Sequence, residues 1–192
     1  MIFATVGSQE PFDRLIRAVD QWAMLHKRSD VFAQIGNSAF QPKHIQFTKF
    51  LEPSEFNRVI HEAVVVVAHA GMGSIISALE IGKPIVVMPR RGALRETRND
   101  HQVATAERFG VRGRVIVAQD QQELAEKLAY ALTLGEMDRI NPEASPRLIA
   151  TIRAFLDGEL NEQESAISLG KLEPHAARSS PTPLTALRTT KA

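Results

Sequence analysis

The chain has no cysteine among its 192 residues. Disulfide bonds, cysteine-ligated zinc and a thiol nucleophile are therefore excluded, and the absence is consistent with a reducing compartment. The six histidines stand at positions 26, 44, 61, 69, 101 and 175, a spacing that is not typical of metal ligands. We therefore expect no metal and no other cofactor.

Long apolar runs are also missing. The longest one, Ala63 to Ala68, is far shorter than the roughly 20 residues that a membrane-spanning helix needs. Strand-like sequence follows Met1 directly, without the basic and apolar regions of a secretory signal. We therefore expect a cytoplasmic protein.

The sequence has no excess of charge of one sign. Lysine and arginine total 23 against 22 acidic residues, so the formal charge is +1 and no overall field attracts nucleic acid. One local basic cluster contains Arg90, Arg91, Arg95 and Arg98. This cluster lacks the interleaved aromatic residues with which proteins bind single-stranded nucleic acid. Nucleic acid is therefore not an expected partner.

The sequence does contain a regular alternation of strand-like and helix-like segments. Short apolar runs predict six strands, at residues 2–6, 31–35, 44–50, 64–68, 85–88 and 115–117. Helical spacing predicts helices after Pro11, from Ser54, and at residues 73–81, 99–110, 121–134 and 146–156. This order predicts an α/β fold with a single Rossmann-like, doubly wound parallel sheet. The run 64–68 is apolar on both faces and is expected at the sheet centre, whereas 44–50 is expected nearer an edge.

The predicted domain covers residues 1–157, and the composition changes after Asp157. Residues 158–192 are rich in serine, threonine, proline, alanine and charge, with few large apolar side chains. Such a segment cannot bury enough apolar surface to offset the entropy of ordering. We therefore predict a flexible, disordered C-terminal tail.

The strongest functional signal is the transition from the fourth predicted strand to the next helix. There the strand ends in His69-Ala70-Gly71-Met72-Gly73-Ser74, a turn of small residues that leads directly into the helix. The free N–H groups and positive end of such a helix form a site for phosphate. From the residues alone, two interpretations stay open: the glycines and Ser74 serve a tight turn and a helix cap, or they hold a diphosphate.

Four polar, glycine-containing loops follow predicted strands, at residues 7–9, 36–38, 69–74 and 89–102. Ligands of doubly wound sheets bind beyond the carboxyl ends of the strands, near the point where the strand order reverses. We therefore expect these loops to surround one ligand site.

Several side chains in or near these loops have both a structural and a functional interpretation. Glu80 is either a solvated helix residue or an acceptor for ribose hydroxyls, and His69 is either a core histidine or a donor to phosphate or sugar. The arginine cluster is either an exposed loop or an anion-binding lid. Asn99 is predicted to cap the helix that begins with His101 and Gln102, whose side chains could hydrogen-bond sugar hydroxyls.

Together these motifs resemble the donor-binding half of the MurG-like glycosyltransferases, which have GT-B architecture. The resemblance rests on the segment from His69 to Ser74 and on Glu80, Gly82-Lys83-Pro84 and Asn99-Asp100-His101-Gln102. It is closest to short, stand-alone versions of that half. These occur in the eukaryotic two-component N-acetylglucosaminyltransferase of the dolichol pathway and in bacterial exopolysaccharide and capsule synthesis. The opening Thr5-Val6-Gly7 supports the resemblance, which extends to about Leu156.

The resemblance implies roles for individual residues. Gly71, Gly73 and Ser74 would contact the diphosphate of a UDP-sugar, and Glu80 would hold the ribose. His101 and Gln102 would face the transferred sugar, while His69, Gly7 and Ser8 would border the same cleft. The family requires no bound metal and usually inverts the anomeric configuration, which agrees with a helix N-terminus that stabilises the leaving UDP.

The resemblance also implies a partner. A GT-B enzyme closes two Rossmann-like domains around donor and acceptor, and a chain of this length can build only one. We therefore expect a separate membrane-anchored, Rossmann-like subunit to supply the acceptor half and the general base. In this chain, His69 is the only candidate for a catalytic base at the rim of the site. The last helix and the predicted tail at 158–192 are expected to help dock the partner.

These inferences predict the donor-binding catalytic subunit of a two-component UDP-sugar hexosyltransferase in bacterial exopolysaccharide or capsule biosynthesis. It would transfer a hexosyl unit to a polyprenyl-diphosphate-linked acceptor, and its partner would recruit it to the inner face of the cytoplasmic membrane. Arg90 and Arg91 favour glucuronate as one candidate sugar, because guanidinium groups pair with carboxylates. UDP-galactose, UDP-glucose and UDP-N-acetylglucosamine stay open. Two alternatives also stay open: a stand-alone nucleotide-sugar epimerase or hydrolase, and a non-enzymatic regulatory module that binds UDP-sugars.

Overall fold

A computed structural model describes residues 1–111, 113–141, 143 and 146–157 of the chain. The chain divides into two compact units, Met1–Pro142 and Glu143–Ala192. The predicted tail at 158–192 lies outside the described residues.

The first unit contains one parallel sheet of six strands, in the order β3-β2-β1-β4-β5-β6. The strands are β1 (Ile2–Thr5), β2 (Val31–Gln34), β3 (Gln46–Thr48), β4 (Val65–His69), β5 (Ile85–Met88) and β6 (Ile116–Val117). The helices of this unit are α1 (Asp13–Leu25), α2 (Pro53–Glu62), α3 (Met72–Glu80), α4 (His101–Gly110) and α5 (Gln121–Ala131). The predicted α/β fold with a single Rossmann-like sheet is therefore confirmed.

Apolar layers cover both faces of the sheet, as a doubly wound fold requires. Successive side chains of a strand point to opposite faces, so Ile2 packs into one layer and Phe3 into the other. Helices α1 and α5 contribute Leu15, Leu124 and their neighbours to the first layer. The second layer receives Ile75 and other buried residues of α2, α3 and α4.

The predicted elements and the observed ones differ mainly at their ends. Strand β5 has the predicted bounds, β3 lies at one edge, and β4 lies inside the sheet between β1 and β5. The third strand was predicted too long, at 44–50, because only Gln46 to Thr48 pair with β2. Helix α2 begins at Pro53, one residue before the predicted Ser54, because the first turn of a helix does not need the N–H that proline lacks.

The second unit contains helix α6 (Pro146–Leu156), at the position that the sequence predicts. No side chain of this helix is buried, and Ile149, Ile152, Phe155 and Leu156 are exposed. Within the described residues, no helix combines the length and the apolar content that a bilayer crossing requires.

The order of the strands places a crevice between β1 and β4. The chain proceeds from β1 to β2 and β3 on one side, and then returns to β4, β5 and β6 on the other. The loops that leave the carboxyl ends of β1 and β4 therefore run to opposite sides and leave a gap between them.

Candidate functional site

A cleft of about 900 Å³ opens at the carboxyl ends of β1 and β4. Its volume lies in the range of small-molecule sites. Five parts of the chain line it: the end of β1 with the loop after it, Gln34 at the end of β2, the end of β4 with the start of α3, the segment between β5 and α4, and the start of α2 with the residues before it. The loop at 36–38, which was predicted to join the site, does not line it. Leu51, Pro53, Phe56 and Asn57 stand there instead, because the start of α2 reaches the same edge of the sheet.

The first turn of α3 presents free backbone donors to the cleft. Gly71 precedes the helix, and no acceptor within the described residues takes the N–H groups of Met72, Gly73 and Ser74. A Cβ added to Gly73 would meet no atom within 4 Å, so open space lies over this turn. Ser74 lines the cleft although it is only 7% exposed. Free donors at the positive end of a helix can bind a phosphate or diphosphate group.

The ring of His69 is wedged between two glycines at the base of the cleft. A Cβ added to Gly7 would lie 2.7 Å from Cε1 of His69, and one added to Gly71 would lie 2.1 Å from its Nε2. An alanine at either position would therefore force the histidine ring to move, and Gly7 also has a φ of 77°, which favours glycine. Burial, and secondarily the charge of Arg90, lowers the pKa of His69 from 6.5 to about 4. The imidazole is therefore neutral at pH 7.

Arg90 lies in the wall of the cleft, but its guanidinium is largely used to hold the protein backbone. Its Nη2 donates to the carbonyl oxygen of Val6 at 2.7 Å and to that of Glu10, and the group stacks over the ring of Phe12. Arg90 is only 3% exposed, and this burial lowers its pKa. The residue therefore holds the loop after β1 against the end of β5.

The other predicted arginines occupy different environments. Arg91 does not line the cleft, and its Nη2 donates to the carbonyl oxygen of Gln119 at 3.0 Å. Arg98 is exposed and lines the cleft, and no described residue forms a hydrogen bond or an ion pair with it. Arg98 is thus a cation that remains available to an anionic ligand.

An ion pair fixes the wall that carries Arg98. Arg14 on α1 donates from Nε and Nη2 to the two carboxylate oxygens of Glu96, at 2.7 and 2.8 Å. The same carboxylate accepts the backbone N–H of Arg91 at 3.0 Å, and Arg14 also holds the carbonyl oxygen of Pro89 at 2.9 Å. Arg14 therefore ties the segment between β5 and α4 to α1 at two points, Pro89 and Glu96.

Asn99, His101 and Gln102 meet at the start of α4 and line the cleft. Oδ1 of Asn99 accepts the backbone N–H of His101 at 3.2 Å, but the N-cap residue of α4 is Asp100, so the prediction that Asn99 caps this helix is wrong by one residue. Gln102 is only 6% exposed, and its Oε1 accepts the backbone N–H of Arg90 at 3.2 Å. The three side chains thus have fixed orientations at one side of the cleft.

Residues 1–154 match the model of the glycosyltransferase family 28 C-terminal domain. The chain belongs to this family. No curated protein matches the sequence significantly.

Solved structures show the same fold for the family 28 domain. The glycosyltransferase of kitacinnamycin is 20% identical with a TM-score of 0.51, and the match covers 89% of this chain and 43% of that one. A candidate UDP-N-acetylglucosamine 2-epimerase from Listeria monocytogenes is 15% identical, with a TM-score of 0.52 and coverage of 83% and 45%. The solution structure of ALG13 is 17% identical, with a TM-score of 0.52 and coverage of 81% and 94%. The chain thus matches less than half of the first two proteins and nearly all of the third.

The cleft of this family 28 domain brings together most of the predicted site residues. Those that line it are Gly7, Ser8, His69, Gly71, Gly73, Ser74, Arg90, Asn99, His101 and Gln102. Glu80 and Arg91 do not line it. Glu80 is exposed at the last residue of α3, which is the end of the helix opposite to the cleft.

Ser77 lines the cleft but was not predicted as a site residue. It lies three residues after Ser74 on α3, and residues with this spacing share one face of a helix. Glu80 continues the same row by another three residues, but it lies too far along the helix to reach the cleft. The spacing from Ser74 was the signal that could have identified Ser77.

Proposed function

We propose that this chain is the donor-binding catalytic subunit of a two-component UDP-sugar glycosyltransferase. The observation that carries the proposal is the free N-terminal turn of α3, which opens into a cleft in a domain of glycosyltransferase family 28. The open space over Gly73 would admit a diphosphate, and the adjacent N–H groups would neutralise its charge. The same groups would stabilise UDP as it leaves, so we propose inverting transfer without a metal ion.

We propose that Ser77, rather than Glu80, contacts the ribose. Ser77 lines the cleft one turn beyond the phosphate-binding turn, whereas Glu80 is at the far end of α3. Replacing Ser77 by alanine should therefore weaken UDP binding by about threefold to tenfold, the effect of one lost hydrogen bond. Glu80→Ala is the matched control and should leave the affinity for UDP unchanged. Weaker UDP binding in Glu80→Ala, with unchanged binding in Ser77→Ala, would instead support Glu80 as the residue that holds the ribose.

We propose that the acceptor half and the general base come from a separate membrane-anchored subunit. His69 is the candidate base that the sequence predicts at the rim, but a pKa of about 4 makes its imidazole a weak proton acceptor at neutral pH. The solved ALG13 chain supports this proposal, because the match covers 94% of its length and it therefore holds one fold of about this size. The partner would hold a polyprenyl-diphosphate-linked acceptor at the inner face of the cytoplasmic membrane, in exopolysaccharide or capsule synthesis.

In this proposal, the role of Arg98 decides whether the donor sugar carries a carboxylate. Arg90 and Arg91 are engaged with the backbone, so a glucuronate carboxylate would have to pair with Arg98. Arg98→Ala should then weaken UDP-glucuronate binding by up to about fivefold more than UDP-glucose binding, because an exposed ion pair contributes up to about 1 kcal/mol. Arg95→Ala removes the same charge outside the cleft and is the control. Equal losses with both donors would assign Arg98 to the diphosphate and leave a neutral hexose as the donor.

A transfer assay tests the proposal as a whole. Labelled UDP-hexoses are incubated with the purified chain, with membranes from source cells that lack the chain, and with both together. We expect UDP to bind the chain in calorimetry, and labelled lipid-linked product to form only in the combined reaction. Failure of UDP to bind would refute the proposal.

The same assay separates the two alternatives. A stand-alone epimerase or hydrolase would convert the donor without membranes, and the fold alone does not exclude this because the Listeria monocytogenes protein shares it. A regulatory module would bind UDP-sugars, but polysaccharide synthesis in cells would survive a variant that has lost this binding.

A further inference from the structure

The side-chain amide of Gln34 is buried beneath the loop that follows β1, and one of its two polar atoms has no partner. Gln34 is the last residue of β2, is only 5% exposed and lines the cleft. Its Nε2 donates to the carbonyl oxygen of Gly7 at 3.2 Å. Because a carbonyl can only accept, the atom that faces it must be the nitrogen. The other atom, Oε1, is buried without a hydrogen-bond partner among the described residues, so the stability of the fold gains little from this side chain.

The bond from Gln34 fixes the direction of one peptide group in the loop. In a planar trans peptide, the C=O of one residue and the N–H of the next point in opposite directions. Since the carbonyl of Gly7 points at the buried amide, the N–H of Ser8 points away from it. Ser8 is exposed and lines the cleft, and no acceptor within the described residues takes this N–H. The loop therefore presents a free donor whose direction is set by Gln34.

No second described group holds this peptide in place. Arg90 donates to the carbonyl oxygens of Val6 and Glu10, which lie on either side of it in the chain. The carbonyl oxygen of Gly7 has Gln34 as its only donor within the described residues. Gly7 lacks a Cβ and has a φ of 77°, so the peptide that follows it can rotate with little steric resistance. Without the side chain of Gln34, this peptide would be free to turn its carbonyl toward the cleft.

We propose that Gln34 is a positioning residue that holds the N–H of Ser8 toward the diphosphate of the UDP-sugar. The ring of His69 is in close contact with both Gly7 and Gly71, so the loop after β1 and the start of α3 lie on either side of one imidazole. One diphosphate can therefore meet donors from both. A rotated peptide would instead direct a carbonyl oxygen at the phosphate oxygens and repel them. This inference rests on the proposed function, because it requires a UDP-sugar in the cleft.

The direct test follows the backbone N–H of Ser8 by NMR of the isotopically labelled full chain. We expect its proton resonance to move downfield when UDP saturates the unaltered chain, because a hydrogen bond to phosphate deshields the proton. Gln34→Met keeps a side chain of similar length but removes the N–H donor to Gly7. In this variant the downfield shift of Ser8 should largely disappear.

Binding measurements separate positioning from a general effect on the fold. Gln34→Met should weaken UDP binding about threefold to tenfold, the effect of one lost hydrogen bond. Binding of uridine, which lacks the phosphates, should not change. The melting temperature should stay the same or rise, because the variant removes a buried acceptor without a partner. Gln46→Met is the matched control, since it makes the same substitution on β3 outside the cleft and should leave both affinities unchanged.

The possible failures are distinguishable. Equal weakening of UDP and uridine binding in Gln34→Met would show that Gln34 has only a structural role and would overturn the proposal. A Ser8 resonance that UDP does not shift in the unaltered chain would overturn it without any variant, even if Gln34→Met failed to fold. Failure of the unaltered chain to bind UDP would refute the proposed function itself. Unchanged UDP affinity in Gln34→Met would refute only the role of Gln34.

Discussion

Replacement of Gly73 by alanine is the most direct test of the proposed diphosphate site. Gly73 lies in the first turn of α3, and a Cβ added there would meet no atom of the protein within 4 Å. The additional methyl group would therefore fit the ligand-free fold and enter the space in which the diphosphate is proposed to lie. The variant separates a requirement of the ligand from a requirement of the fold.

The expected effects on stability and binding have opposite signs. Alanine is favoured over glycine within a helix, so the free energy of unfolding should rise by up to about 1 kcal/mol. The methyl group would hold the diphosphate away from the N–H groups of the turn. Loss of one hydrogen bond to a charged group costs about 1.5–3 kcal/mol, so UDP binding should weaken about 10- to 150-fold.

Thermal unfolding and calorimetric titration with UDP measure these two effects on one protein sample. Gly135→Ala is the matched control, because a Cβ there also meets no atom within 4 Å and the residue does not line the cleft. That variant should bind UDP with the affinity of the unaltered chain. Unchanged UDP affinity in Gly73→Ala, together with unchanged or higher stability, would refute the placement of the diphosphate.

Three further predictions concern the groups around the cleft. Gly71→Ala should lower the melting temperature, in contrast to Gly73→Ala, because its Cβ would lie 2.1 Å from the ring of His69; an unchanged melting temperature would show that the ring moves freely. Because the pKa of His69 is about 4 in the folded chain and 6.5 in the unfolded chain, the unfolded chain binds more protons between these values. The free energy of unfolding should therefore fall by about 3 kcal/mol as the pH decreases from 6.5 to 4, and His69→Gln should flatten this dependence in denaturant titrations; an equally steep dependence in the variant would assign the effect to other groups. Glu96→Gln should lower the free energy of unfolding by about 1–2 kcal/mol, because it weakens the pairing with Arg14 and with the backbone. In the exposed pair of Arg58 and Glu62 the same change, Glu62→Gln, should cost less than about 0.5 kcal/mol, so equal costs in the two pairs would contradict the anchoring role of Glu96.

The sequence predicted the fold well because local patterns carried most of the information. The strand at Ile85 to Met88 is a short apolar run between Pro84 and Pro89, and its bounds follow from those neighbours. The central place of β4 followed from its run of valines, since only a strand covered on both faces can be apolar throughout. The length of β3 could not be predicted from its own residues, because it depends on how many of them pair with β2.

The site was predicted less completely, because proximity in a cleft depends on directions in space. The glycine turn and the Asn99-Asp100-His101-Gln102 segment follow strands that end at the same edge, so topology brings them together. The resemblance pointed to the carboxylate of Glu80, but which residue of α3 lines the cleft depends on how much of the helix faces it, and Ser77 lines the cleft whereas Glu80 does not. Arg90 and Arg98 look equivalent in the sequence, but burial commits the first to backbone carbonyls and leaves the second available.

The sequence by itself therefore determined the alternation of strands and helices, the glycine turn before α3 and the family to which the domain belongs. Each of these depends on residues that are near in the chain, where spacing and side-chain type are sufficient. Only the tertiary structure decided which polar side chains share the cleft and in which direction their hydrogen bonds point. Partners distant in sequence set these directions, as the backbone of Arg90 does for Gln102 across 12 residues.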